Sequence, residues 1–342
     1  MNQRSIIIFA LLSVAVFTGL AVYGDARELF KSILLVSPVY WIGAFLLTVV
    51  HVVVRMARWH YFLRVVGVSA DLKTTSLIFV AGFSMLMVPG RIGELAKSLF
   101  LRQKADVQIR TSAPVILTER ILDVMSVLFL GIWGLIFIPF GWVIILVTLL
   151  GFAALTVMLA SAKGVALLIR LPFLRRWDTV LADSGQTFRK LYTAKVLAIG
   201  FASGLFAWLL IGVSFWVVLQ GFQAQVQAPA AVSIFSASTL LGSITMLPGG
   251  LITTEGSMLA MLSRVGLGST TATAAILIIR VITLWMTVLI GFVALLILRK
   301  YQPSMPRPAE DVREQALEPA AAGNFVGSRA GRTSATPTGA DS

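Results

Sequence analysis

Two matching breaks in an otherwise apolar chain constrain its fold more than any other feature. The first reads Val88-Pro89-Gly90-Arg91-Ile92-Gly93-Glu94. The second reads Leu247-Pro248-Gly249-Gly250-Leu251-Ile252-Thr253-Thr254-Glu255. Each ends an apolar run with Pro-Gly and reaches a glutamate a few positions on. Each is followed by a long apolar segment with an arginine deep inside it, Arg120 and Arg280. The offsets agree: Pro89 to Pro248 is 159 positions, Glu94 to Glu255 is 161, and Arg120 to Arg280 is 160. One shared offset reads as an internal repeat. Backbone that leaves helical geometry at membrane depth must be sheltered in protein or line a cavity. Interrupted apolar segments at matching positions of two halves therefore point to a transporter-type binding site.

That reading needs a membrane, and composition supplies it. Hydrophobic residues make up 58% of the chain and charged residues 13%, where a soluble domain carries about 25% charged residues. The net charge of +13 does not indicate nucleic acid, because most Lys and Arg fall in loops between apolar runs, as the positive-inside rule expects. The absence of cysteine excludes a disulfide framework, a thiol nucleophile and a Cys-based metal site. His51 and His60 match no metal-ligand spacing, and both read as part of an arginine-rich helix end. There is no Walker loop, H-E-x-x-H or G-x-S-x-G elbow. The sequence thus predicts no enzyme, no cofactor and no metal.

Taken in order, the apolar runs predict an all-α polytopic membrane protein. Six full spans are expected at 5–23, 33–54, 111–140, 142–160, 196–219 and 269–298. Arg55, Arg58 and Arg64 read as the polar end of the second span, with Trp59 and Tyr61 as interface anchors. The 14 residues of 75–88 reach only about 21 Å as a helix, short of a core of about 30 Å. Segments 75–110 and 230–266 are therefore expected as re-entrant hairpins; full crossings at both would instead give eight helices. Lys and Arg concentrate at 55–110 and 161–195 and at the start of the tail. This puts both termini in the cytoplasm of a multi-pass inner-membrane protein, with 220–230 outside. The first hairpin then enters from inside and the second from outside. The repeats, about 33–140 and 196–298, have inverted topology within a membrane domain of 1–299. Residues 300–342 read as a disordered cytoplasmic tail.

A few polar residues stand out at membrane depth, where charge costs about 2.5–3.5 kcal/mol on insertion scales and is usually paired or functional. Glu119, Arg120 and Asp123 share one helix. They read either as a self-neutralised cluster or as the lining of a headgroup site. Arg280 has no acid within one turn. It needs a partner such as Glu255 or Asp123, or it holds an anionic ligand through its bidentate fork. Helices beginning at Pro89 and Pro248 would offer free N–H groups to an anion, with Gly90, Gly249 and Gly250 allowing close approach. Glu94 and Glu255 fall in the first turns, where they either complement the helix dipole or couple protons.

These motifs (Pro89-Gly90-Arg91-Ile92-Gly93-Glu94, Glu119-Arg120-Ile121-Leu122-Asp123, Leu247-Pro248-Gly249-Gly250 with Glu255, and Arg280) resemble the flippase-like membrane region of lysylphosphatidylglycerol synthases, over about residues 5–300. In two-part synthases that region is associated with moving lipid across the bilayer, while a separate soluble domain makes the lipid. The tail beyond residue 300 is too short for an aminoacyltransferase domain, so synthase activity is not expected. The family's second motif often reads P-G-G-x-G; here Ile252 and Thr253 stand where glycine is expected. The resemblance implies a lipid transporter binding a headgroup through Pro89, Gly90, Arg91, Glu94, Glu119, Arg120, Asp123, Pro248, Gly249, Gly250, Glu255 and Arg280. Its partner would be a phospholipid or polyprenyl-linked lipid. The other reading is a non-transporting accessory factor for a lipid-synthesis or glycosyltransferase enzyme.

Overall fold

A computed structural model describes residues 26–86, 95–136, 140–160, 164, 184–245 and 247–301. The expected span 5–23, the first break (87–94) with Pro89, Gly90, Arg91 and Glu94, most of the loop 161–195, and the tail from 302 lie outside the described residues. Among the described residues every regular element is helical. Three helices among the described residues are long and apolar enough to cross a membrane: Pro38–Val65, Ala194–Gly221 and Ser269–Lys300. The protein is an integral multi-pass membrane protein.

The second expected span is displaced. Helix α1 (Ala26–Leu35) ends before Ser37, and α2 (Pro38–Val65) starts with Pro38 in its first turn. Proline keeps the preceding residue out of helical geometry, so one helix cannot run from 33. Nor does α2 stop at Val54. Ala44, Thr48, His51, Arg55, Arg58 and Phe62 are all buried, spaced alternately four and three apart. That is the seam of a helix packed along another helix. The partner is α8 (Ala194–Gly221), with Gly200, Gly204, Ala207, Ile211, Ser214 and Val218 buried at the same spacing. The two run antiparallel: the Ser214 hydroxyl donates to Ala44 O at 2.8 Å, His51 Nδ1 meets Ala207 O at 2.7 Å, and Arg58 Nη1 donates to Gly200 O at 3.4 Å.

Helix α3 (Leu72–Ala81) is capped by Asp71, whose carboxylate accepts from Thr74 N at 2.9 Å. A 3-10 turn (Gly82–Met85) leads to the first break, and α4 (Ala96–Ala105) follows it. Helix α5 (Ile109–Ile136) carries Glu119, Arg120 and Asp123; α6 (Gly141–Ala160) packs beside it, and the short α7 (Gly185–Leu191) leads into α8. Helix α9 (Ala228–Ile244) is 17 residues long, about 25 Å. It packs antiparallel on α5, where a Cβ at Gly131 would sit 2.9 Å from Ala237 N, and Gly134 N donates to Ser233 Oγ at 2.5 Å. Small residues permit this close backbone approach. After the turn Pro248–Gly250, α10 (Thr253–Arg264) folds back along α9, with the Ser238 hydroxyl 3.9 Å from the Met261 sulfur. The second break is thus a helical hairpin. Helix α11 (Ser269–Arg280) continues through one π turn (Val281–Trp285) into α12 (Met286–Lys300). Helix α12 packs against α3 and the 3-10 turn, and Lys104 Nζ donates to Tyr301 O at 2.6 Å.

Candidate functional site

The deep charges assemble from several elements. Asp123 on α5 receives Arg58 Nη2 at 2.6 Å and Arg55 Nη2 at 3.2 Å, both from α2, and Arg120 Nη1 from its own helix at 3.5 Å. Glu119 pairs with Lys97 Nζ of α4 at 3.0 Å, and Arg58 Nε lies 3.8 Å from its other oxygen. The Lys97 ammonium also stands 4.4 Å from the Trp59 ring centroid and 4.9 Å from that of Phe79, a cation–π cage. The expected pair of Arg120 with Asp123 within one helix is present, and charges from α2 and α4 join it, so the cluster ties α2, α4 and α5 together. Arg55, Arg58 and Trp59 are interior residues, and Trp59 is fully buried. His51 lies mid-helix and buried, not at a helix end. The signal for this was present in the alternating spacing of Thr48, His51, Arg55 and Arg58, which puts all four on one stripe.

At the second break the backbone departs from helix. Gly249 has φ 61°, Gly250 φ 68° and Ile252 φ 73° with ψ −57°. Consecutive left-handed residues cannot start a right-handed helix, so α10 begins at Thr253, five positions after the expected Pro248. Glycine takes such angles without strain; at β-branched Ile252 they are an outlier, at the position where the family pattern expects glycine. Arg280, the last residue of α11, clasps this turn. Its Nη2 donates to Gly249 O at 2.7 Å, and its Nε approaches Glu255 Oε1 at 2.5 Å. The latter contact is an ion pair set off the N–H direction rather than a directed hydrogen bond. The π turn follows Arg280 directly, and such turns recur at functional sites.

These elements enclose a cavity of about 120 Å³ lined by residues of α2, α5, α8, α9, α10, the two turns and the α11–α12 helix. Arg55, Arg120 and Arg280 all reach it, with His51, Trp208 and Gly249. Among the described residues, every Lys, Arg, Asp or Glu lining the cavity is an arginine; Asp123 and Glu255 pair with those arginines but do not line it. Of the residues expected at a site, the structure brings Arg120, Arg280 and Gly249 to the wall, and places Asp123 and Glu255 one contact away. Glu119 is farther off, with Lys97. His51, Arg55 and Trp208 are wall residues that the sequence reading missed.

The sequence matches the family described as lysylphosphatidylglycerol synthase TM region over residues 7–291. The chain belongs to this family. Among its relatives is a UPF0104 membrane protein of Methanothermobacter thermautotrophicus, 21% identical, with 86% of this chain and 96% of the relative covered. A UPF0104 membrane protein of Methanocaldococcus jannaschii is 19% identical, with 86% and 95% covered. As a member of the lysylphosphatidylglycerol synthase membrane-region family, the chain carries both Pro-Gly breaks and both deep arginines within the matched residues. The matched residues include the whole cavity wall.

Proposed function

We propose that this protein binds the headgroup of an anionic membrane lipid in the arginine-walled cavity and moves that lipid between leaflets. The observation that carries the reading is the wall itself: three guanidiniums face the cavity while their carboxylate partners stand behind them. Guanidinium matches phosphate in a bidentate way, and burial strengthens the attraction. The site residues are Arg120, Arg280 and Gly249 with Asp123, Glu255, Pro248 and Gly250 supporting them, and Pro89, Gly90, Arg91 and Glu94 supply the matching half. The two halves act as inverted repeats that rock about the cavity, with six spans and two hairpins in the inner membrane and both termini cytoplasmic. Helix directions support this. The equivalent helices α2 and α8 run antiparallel, as inversion requires. The first arm of each hairpin packs on the long helix of the other half, α9 on α5 and α3 on α12.

The test is reconstitution in liposomes with fluorescent lipids. Wild-type protein is expected to move an anionic lipid at least about tenfold faster than a zwitterionic one, and Arg280→Gln, assayed well below its lowered melting temperature, is expected to abolish the difference. No movement of any lipid by wild-type protein would end the transport reading and leave a non-transporting accessory role.

A further inference from the structure

The rest of the cavity wall speaks to what the lipid carries beside its phosphate. Five threonines line it, Thr48, Thr239, Thr254, Thr283 and Thr287, contributed by α2, α9, α10, the π turn and α12. Valine would fill the same volume in a purely apolar wall. Thr48, Thr239 and Thr283 each donate their hydroxyl proton to the carbonyl one turn back, at 2.9, 2.8 and 2.7 Å. With that proton engaged, each oxygen offers the cavity acceptor lone pairs only. An acceptor suits an O–H donor and not a phosphate oxygen. His51 adds to the set. Its Nδ1 faces the Ala207 carbonyl, so Nδ1 carries the proton and Nε2 of the neutral ring is an acceptor. Trp208 stands edge-on to His51, ring centroids 5.6 Å apart, and its indole N–H is buried with no hydrogen-bond acceptor among the described residues. It supplies an aromatic surface, which suits the C–H face of a polyol.

Resting on the anionic-lipid reading above, we infer that the cavity selects a headgroup with hydroxyls next to its phosphate, of the glycerol-phosphate or sugar-phosphate class, and rejects a cationic headgroup. The arginines hold the phosphate, the threonines and His51 hold the hydroxyls, and Trp208 packs beside them. An ammonium would meet three guanidiniums with no carboxylate on the described wall. Val52, Phe83, Leu86, Phe235 and Leu284 share the same wall, which favours a lipid-borne phosphate over a soluble one.

The experiment measures binding to purified wild-type protein in detergent by intrinsic tryptophan fluorescence. Ligands are short-chain phosphatidylglycerol, phosphatidylinositol, phosphatidic acid, phosphatidylcholine, lysyl-phosphatidylglycerol and soluble glycerol 3-phosphate. Phosphatidic acid carries at least as much charge as phosphatidylglycerol but no headgroup hydroxyl, so electrostatics alone would favour it. We expect the two polyol lipids to bind about tenfold more tightly than phosphatidic acid, the worth of roughly one good hydrogen bond. Lysyl-phosphatidylglycerol and glycerol 3-phosphate are expected to bind at least about tenfold more weakly than phosphatidylglycerol. The double variant Thr283→Val with Thr287→Val should bring phosphatidylglycerol and phosphatidic acid to equal affinity without weakening the latter. Phosphatidic acid binding as tightly as the polyol lipids to wild-type protein, or lysyl-phosphatidylglycerol binding best, overturns the headgroup inference and leaves the anionic site standing. Glycerol 3-phosphate binding as tightly as phosphatidylglycerol overturns the lipid source. If no anionic lipid outbinds phosphatidylcholine, the site reading itself fails.

Discussion

At the scale of the residue, two arginine–carboxylate arrangements carry different loads. Arg280 holds Glu255 and the Gly249 carbonyl together. Removing one member of a buried pair leaves the other charge uncompensated, at about 3–5 kcal/mol, and removing both returns much of it. Arg280→Gln and Glu255→Gln should therefore each lower thermal stability in detergent, and the double variant should recover most of the loss. If the double variant also regains full lipid movement, Arg280 is a strut and not a headgroup ligand. Arg280→Lys keeps the charge but offers no fork to span Glu255 and Gly249 at once, and it should lose transport while staying folded. Asp123 is the more exacting position, since Arg55, Arg58 and Arg120 all converge on it. Asp123→Asn should cost at least about 3–5 kcal/mol. Arg120→Gln should cost about 1 kcal/mol, because Arg120 keeps 20% side-chain exposure and Asp123 retains two other partners. Thermal denaturation of the two variants side by side checks the order, and equal losses would contradict the network.

At the scale of the element, the turn after α9 stores strain that its sequence reveals. A β-branched residue at φ 73° costs on the order of 1–3 kcal/mol, and Ile252 is 55% exposed, so little burial offsets it. Ile252→Gly should raise stability by about 1 kcal/mol after the larger chain entropy of glycine is counted. A fall in melting temperature would mean that the turn is not held as described. The start of α3 behaves in the ordinary way of a capped helix. Partial burial by itself would raise the Asp71 carboxyl, but the hydrogen bonds it accepts from Thr74 and neighbouring backbone groups outweigh that and hold it below the usual carboxylate range. A lowered folded-state value means the cap contributes fully above the ordinary carboxylate range, and its contribution is lost as pH falls through the folded value. Asp71→Ala should cost about 1 kcal/mol near neutral pH, and wild type and variant should converge once pH has fallen through the lowered folded-state value. A constant gap across pH would point to a role other than capping.

At the scale of the molecule, the prediction is orientation. Cysteines introduced at Arg176, Gln223 and Ser328 report it without interference, because the chain has no native cysteine. Positive-inside counting places 176 and 328 in the cytoplasm and 223 outside. An impermeant thiol reagent applied to intact cells should label only 223. Labelling at 176 or 328 with 223 protected would invert the topology, and with it the leaflet from which each hairpin enters.

Much of this architecture was legible because it rests on local physics. The helical membrane class follows from apolar runs, the break at Pro248 from Pro-Gly, and the deep charges from their cost in hydrocarbon. The mismatch at Ile252 also showed in sequence, as a side chain where glycine is expected. The sequence offered Glu255 or Asp123 as the acid for Arg280, and the structure selects Glu255; the other partnerships it could not determine. Arg55 and Arg58 look like a solvated helix end, because on one strand of sequence a charged run after an apolar run has no other sign. Only the antiparallel packing of α2 on α8 buries that run and delivers it to Asp123. The pairing of Arg280 with Glu255 and Gly249 spans 25 and 31 positions, and it exists only because α10 folds back along α9. The helices are fixed by their own residues, whereas the cavity belongs to their packing, since its wall takes side chains from segments that are remote in sequence.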